Sequence, residues 1–109
     1  MAKRKKEDVI KVLICNAGES PKIEVIDNDI KPMQEIVGGY VQMLQIGNGI
    51  CLLCNEDGLM QQLQPNFMTQ WGMIVGNVIF AGERGQEFAS LNDEQIYDIR
   101  AYLLSVGVK

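Results

Sequence analysis

Glu35-Ile-Val-Gly-Gly-Tyr-Val-Gln-Met-Leu-Gln-Ile-Gly-Asn-Gly-Ile-Cys-Leu-Leu-Cys-Asn-Glu-Asp-Gly58 is the stretch whose reading decides the fold. Met33, Ile36 and Val37 recur at helical spacing. Gly38-Gly39 follows where a helix end needs a residue tolerant of positive φ. A short helix, Pro32 to Val37, therefore ends there. From Tyr40 to Ile46 apolar residues alternate with Gln42 and Gln45 among them, which is the pattern of a strand. Gly47-Asn48-Gly49 supplies a tight turn made of residues that accept left-handed backbone. Ile50 to Cys54 is apolar at every position, as a strand buried on both faces is, and Asn55-Glu56-Asp57-Gly58 closes it with turn residues. The hairpin so formed is the centre around which the rest of the chain packs.

Upstream, Val9 to Ile14 is a β-branched run interrupted only by Lys11, and Asn16 to Pro21 is a loop of turn residues. Ile23 and Val25 then alternate with Lys22 and Glu24, so the second strand of this hairpin has one wet face. Asp27-Asn28-Asp29 offers side-chain acceptors for a helix start, with Pro32 tolerated in the first turn. Downstream, Leu59 to Trp71 has a helical stripe broken by Pro65-Asn66, and reads as a short irregular segment. Met73 to Phe80 reads as one further strand with Gly76 as a bulge or close approach. Asn92 and Gln95 form a capping box and Leu91 and Ile96 a hydrophobic staple, opening a helix that places Ile96, Ile99, Leu103 and Leu104 on one face. The expected fold is α+β: a mainly antiparallel sheet of about five strands with one short helix and a C-terminal amphipathic helix. Its expected core is Ile14, Ile36, Val41, Leu44, Leu52, Leu53, Val78, Phe80, Ile96, Ile99 and Leu103.

A chain of 109 residues supports one domain with a real core. Residues 1–8 read as a basic, frayed tail and 9–109 as the domain. Setting aside Lys3, Arg4, Lys5 and Lys6 leaves six basic against fourteen acidic residues, a formal charge of −8 on the body. Such a body does not present the electrostatic footprint of a nucleic-acid binder, although the tail alone could touch a phosphate backbone. No apolar run approaches the roughly 20 residues of a membrane span, and no signal-peptide pattern follows the basic start, so a cytoplasmic protein is expected.

Cys51-Leu-Leu-Cys54 has the spacing of a redox or metal pair. In a strand, however, residues three apart point to opposite faces, and the chain has no His. Cys15, Cys51 and Cys54 read as core residues, with no metal and no cofactor expected. Without His, without a phosphate-cradling Gly-Lys-Ser/Thr and without a Gly-x-Ser-x-Gly, hydrolysis and phosphoryl transfer lose their usual machinery. A non-enzyme is expected, the opposing reading being a carboxylate-only hydrolase using Glu56 or Asp57. Asp27 to Asp29 and Glu56-Asp57 would make a negative patch for a basic partner if their turns fell at the same end of the sheet. The methionine-rich segment of Met60, Met68 and Met73 with Phe67 and Trp71 offers adaptable apolar surface or core filling equally well. Glu56, Asp57, Phe67, Trp71 and Met73 are thus the candidate partner-binding residues. Tyr40, Arg84 and Gly85 are the candidates for an alternative pocket, in which Arg84 would clamp a nucleotide-like anion; against it stands an Arg in an ordinary hairpin turn.

The order of motifs is similar to one family. Val25-Ile-Asp-Asn-Asp29, Met33 to Val41 with its Val-Gly-Gly-Tyr, Ile50 to Gly58 with its Cys-Asn-Glu-Asp-Gly, Leu63-x-Pro-Asn66, Ile74 to Phe80 and Phe88 to Gln95 together resemble a domain of unknown function spread among bacteriophages, plasmids and their bacterial hosts. The likeness covers residues 9 to 104. It implies a mobile-element setting and assigns no site. From that setting comes the expectation of a small phage or plasmid protein that binds a host protein, as in counter-defence. A sponge for a nucleotide-derived signal and a nucleic-acid accessory acting through the tail are the alternatives.

Overall fold

A computed structural model describes residues 7–109. Its elements run β1 (Val9–Cys15), β2 (Lys22–Asp27), α1 (Ile30–Val37), β3 (Val41–Gly47), β4 (Ile50–Asn55), β5 (Pro65–Thr69), β6 (Gly72–Val75), β7 (Val78–Arg84), β8 (Glu87–Ala89) and α2 (Asp93–Ser105). The fold is α+β, with a six-stranded antiparallel sheet ordered β2-β1-β7-β4-β3, β8 pairing β7, and a separate two-stranded β5–β6 hairpin. Residues 1–6, which carry the basic tetrapeptide, lie outside the described residues. Glu7 and Asp8, assigned by sequence to the tail, are tied to the body: a Glu7 carboxylate oxygen accepts from the Ser90 hydroxyl at 3.0 Å, and the Asp8 carbonyl from the Asn28 N–H at 2.9 Å.

β7 is the middle of the sheet because it is apolar on both faces from Val78 to Ala81. Phe80 stands opposite Leu13 on β1 and Leu52 on β4, and Ile79 opposite Ile14 and Leu53. Period-2 alternation sorts these rows to two faces. On one, Leu13, Leu52 and Phe80 pack beneath α2 and the β5–β6 hairpin. On the other, Ile10, Val12, Leu53 and Ile79 pack beneath α1. β4 is buried at every residue, as its uninterrupted apolar run requires.

Both helices begin on the chemistry read from sequence, and α1 also ends on it. The Asp29 side chain accepts the Ile30 N–H at 2.7 Å and Gly38 ends α1 in left-handed backbone, so α1 starts two residues before Pro32. Asn28 is not part of that cap. It is buried, donating to the carbonyls of Glu7 and Phe88. The Asn92–Gln95 capping box is present, with Leu91 and Ile96 both buried beneath it.

Several expectations are corrected. Met73 to Phe80 is two strands rather than one. Gly76, at φ +78 and with Leu63 packed where a Cβ would stand, turns the chain between β6 and β7. Leu59 to Trp71 is irregular only in its first half, and from Pro65 it pairs as β5. Ile36, Val41 and Leu44 are half-buried, the last two because β3 is an outer strand with a neighbour on one side only among the described residues. Leu104 is 65% exposed, lying one step round α2 from the Ile96–Ile99–Leu103 stripe.

Candidate functional site

The β5–β6 hairpin carries one aromatic residue into the core and holds another at the surface. Its root is fixed by Asn66, whose amide donates to the Cys15 carbonyl at 3.0 Å and the Gly76 carbonyl at 2.9 Å. Phe67, 2% exposed, stacks on Phe80 with ring centres 6.1 Å apart and meets Tyr102 edge-on at 6.2 Å. The Tyr102 hydroxyl donates to the Met68 carbonyl at 3.2 Å, so α2 grips the hairpin from the side. At the tip, the Thr69 hydroxyl donates to the Gly72 carbonyl and accepts the Trp71 N–H, closing a tight turn from which Trp71 projects half-exposed.

Trp71 is a wall shared by two hollows over the outer part of the sheet. The first, about 390 Å³, is lined by Ile46, Leu52 and Phe80 among other apolar residues, and by Asp98 and Tyr102 of α2. The second, about 310 Å³, lies over Gln42 and Leu44 of β3, between Met73 and the acidic turn of Glu56 and Asp57. That turn is set by buried Asn55. Its side-chain oxygen Oδ1 accepts the Asp57 N–H at 2.8 Å, while its side-chain NH2 donates to the Val37 carbonyl and the Gln61 side-chain oxygen, both at 3.2 Å. Leu59 and Met60 follow on the rim, and Met60 is 85% exposed. The charged residues lining the two hollows are Glu56, Asp57 and Asp98. Among the described residues no Lys or Arg lines either.

Glu56, Asp57, Trp71 and Met73, four of the five expected partner-binding residues, therefore share one hollow. Phe67 does not: it is core, and only its stacking on Phe80 could have revealed that. Tyr40 precedes β3 at the end of the sheet where Val41 faces Asn55, whereas Arg84 ends β7 near the opposite end, where Ile50 faces Gly82. The pocket expected from Tyr40, Arg84 and Gly85 is not assembled. Arg84 faces Glu87 across the β7–β8 hairpin, with Gly85 (φ +65) in its turn. The two acidic clusters also stand apart, since Asp27 pairs with Val9 at the Arg84 end. Sequence reasoning missed Leu59, Asp98 and Tyr102 as site residues, while Met60 belonged to its methionine-rich segment. Leu59 carried a signal, being a large apolar residue in a turn-rich segment.

A family model described as a domain of unknown function (DUF3846) matches residues 10–104. The chain belongs to that family. No curated protein and no solved structure matches it. Within this family member the thiols are poorly placed for chemistry. Cys51 and Cys54 lie on opposite faces of β4, in different core clusters. Burial, with the Glu83 charge adding to it, pushes the Cys51 thiol up to about 12, and burial raises those of Cys15 and Cys54 as well. Raised thiols stay protonated at neutral pH and make weak nucleophiles. Among the described residues no group of three or more His, Cys, Asp or Glu could hold a metal ion. No helix among them is long and apolar enough to cross a membrane.

Proposed function

We propose that this protein is a non-catalytic docking module that binds a bacterial host protein through the surface around Trp71. The observation that carries the proposal is the shared wall: one half-exposed tryptophan borders two adjacent hollows, with exposed Leu59, Met60 and Met73 around it and acidic groups at the rim. Tryptophan in a concave setting is the side chain that most often anchors protein interfaces, and methionine adapts to irregular partners. A chain without His and with protonated thiols supports binding over turnover. The resemblance to a family of phages, plasmids and their hosts supports a host protein as the partner and counter-defence as the process. The nucleotide-sponge reading loses its support, because Tyr40 and Arg84 stand at opposite ends of the sheet.

Affinity capture from bacterial lysate tests the proposal. Wild type should retain a partner that Trp71→Ala loses, by about 2 kcal/mol or roughly 30-fold in affinity for an anchoring tryptophan. Unchanged capture by Trp71→Ala, with the melting temperature also unchanged, would place the interface elsewhere.

A further inference from the structure

β3 is an outer strand of the sheet, pairing only β4 among the described residues. The Glu56 N–H donates to the Tyr40 carbonyl at 2.8 Å, so Tyr40 turns its backbone toward β4. Alternation along an antiparallel pair then turns Gln42 and Leu44 the same way, and directs the N–H and C=O groups of Val41, Met43 and Gln45 outward. Such a row of backbone groups is a template for another strand. Proteins usually protect it with charge or proline. Val41-Gln-Met-Leu-Gln-Ile-Gly47 contains neither.

The two hollows lie beside this edge, on the face to which Gln42, Leu44 and Ile46 point. Gln42 and Leu44 border the hollow of Glu56 and Asp57, Ile46 borders that of Asp98, and Trp71 stands between. A strand added along β3 would send every second side chain to that face. Residues opposite Gln42 and Ile46 would be four apart, about 13 Å, one for each hollow. That is the arrangement by which strand addition gains affinity from main-chain bonds and specificity from pockets for alternate side chains.

We infer that β3 takes up an extended segment of the partner whose side chains on the hollow face are apolar opposite Gln42 and Ile46 and Lys or Arg at neighbouring positions of that same face, beside Glu56-Asp57 and Asp98. The inference rests on the docking role proposed for the Trp71 surface and names the chemistry of what docks there. Charge selects this occupant over a second copy of the chain. β3 holds no basic residue, and pairing two copies would set one acidic rim against another on a protein of net charge −4.

The test uses the full chain, isotope-labelled, and a synthetic peptide of about ten residues, enough to span a strand, with Leu and Lys taking turns at every second position and Thr between them, so that one face carries both. Its Leu/Glu counterpart serves as the charge control. The Lys peptide should shift the amide signals of Val41, Met43 and Gln45 and the Trp71 indole signal, leave β2 unmoved, and bind at least about tenfold more tightly than the Glu peptide, as charge complementarity demands. Met43→Pro, which removes an outward N–H from an edge position, should abolish binding. Should that variant fold poorly, N-methylation of alternate peptide amides removes the same bonds from the other side. If Met43→Pro and the methylated peptide bind normally while Trp71→Ala does not, strand addition is wrong and the docking role stands. If none of the three changes weakens binding, or the Lys peptide fails to bind, both fall. Equal binding of the Lys and Glu peptides overturns the stated chemistry. A wild-type dimer that Met43→Pro dissociates overturns it too, in favour of a second copy.

Discussion

β2 and β3 bound the same sheet from opposite sides, each pairing one neighbour among the described residues, yet they are armed differently. β2 exposes Ile23 and Val25 but alternates them with Lys22 and Glu24, whose side chains approach to 3.4 Å, and ends on Asp27. β3 carries no charge, exposes Met43, and lies under an overhanging hairpin. A strand added to β2 would have to desolvate Lys22 and Glu24. One added to β3 would meet glutamines and open hollows. The difference teaches that apolar exposure alone does not mark a docking edge. β2 exposes apolar side chains too, and what separates the edges is whether the neighbouring side chains oppose a new strand.

The largest effect should erase the comparison. Phe80 is fully buried and faces Leu13 toward β2 and Leu52 toward β3, so Phe80→Ala should cost about 3 to 5 kcal/mol in urea unfolding and loosen both edges together. Loss confined to one edge would mean that the halves of the sheet are independent. A smaller effect should sharpen it. Asn28 and Asn55 are the buried polar residues among those described, one at the exit of β2 and the other at the exit of β4 beside β3. Replacing either by Ala should cost about 1 to 3 kcal/mol, because buried partners are left unpaired. Only Asn55→Ala should also speed amide exchange through Asp57 to Gln61 and weaken binding at the hollow.

The smallest effect on stability is the most informative about edges. Lys22→Val combined with Glu24→Val should change unfolding free energy by no more than about 0.5 kcal/mol, since the ion pair is exposed. Sedimentation at high concentration should nevertheless show new self-association, because β2 would then be as bare as β3. A double variant that associates no more than wild type would show that charge is not what keeps β2 apart.

What could be read in the sequence follows from the range of the interaction. The Gly47-Asn48-Gly49 turn, the Asn92 capping box and the stop at Gly38 are settled within a few residues, and each stands as read. The all-buried run Ile50 to Cys54 is legible because burial on both faces leaves no polar position, whereas its extension to buried Asn55, read as part of the turn, depends on bonds to Val37 and Gln61. The division at Gly76 is not legible: its cause includes Leu63 packed against it and Asn66 bonded to its carbonyl, and neither has a local pattern. Phe67 and Trp71 look alike in sequence. They differ only because the hairpin folds one ring onto Phe80 and leaves the other at its tip. Glu56, Asp57, Trp71 and Met73 could be named individually as candidates, but their meeting depends on β6 crossing over β4, a long-range event.

Gln95 has a consequence that reaches beyond its helix. Its backbone N–H and side-chain oxygen complete the cap with Asn92, and its side-chain amide donates to the carbonyls of Asn48 and Gly49, at 2.9 and 3.2 Å, across a separation of 47 residues from Asn48. One side chain thereby rivets the first turn of α2 to the β3–β4 turn, and the Asn48 amide donating to Asp98 adds a second rivet. The two turns cannot open separately without stranding both sets of bonds, so they behave as a single cooperative unit in local unfolding. Because Asn48 and Asp98 also line the first hollow, anything seated there adds its binding energy to that unit as a whole, slowing the opening of the helix start and the hairpin turn in equal measure.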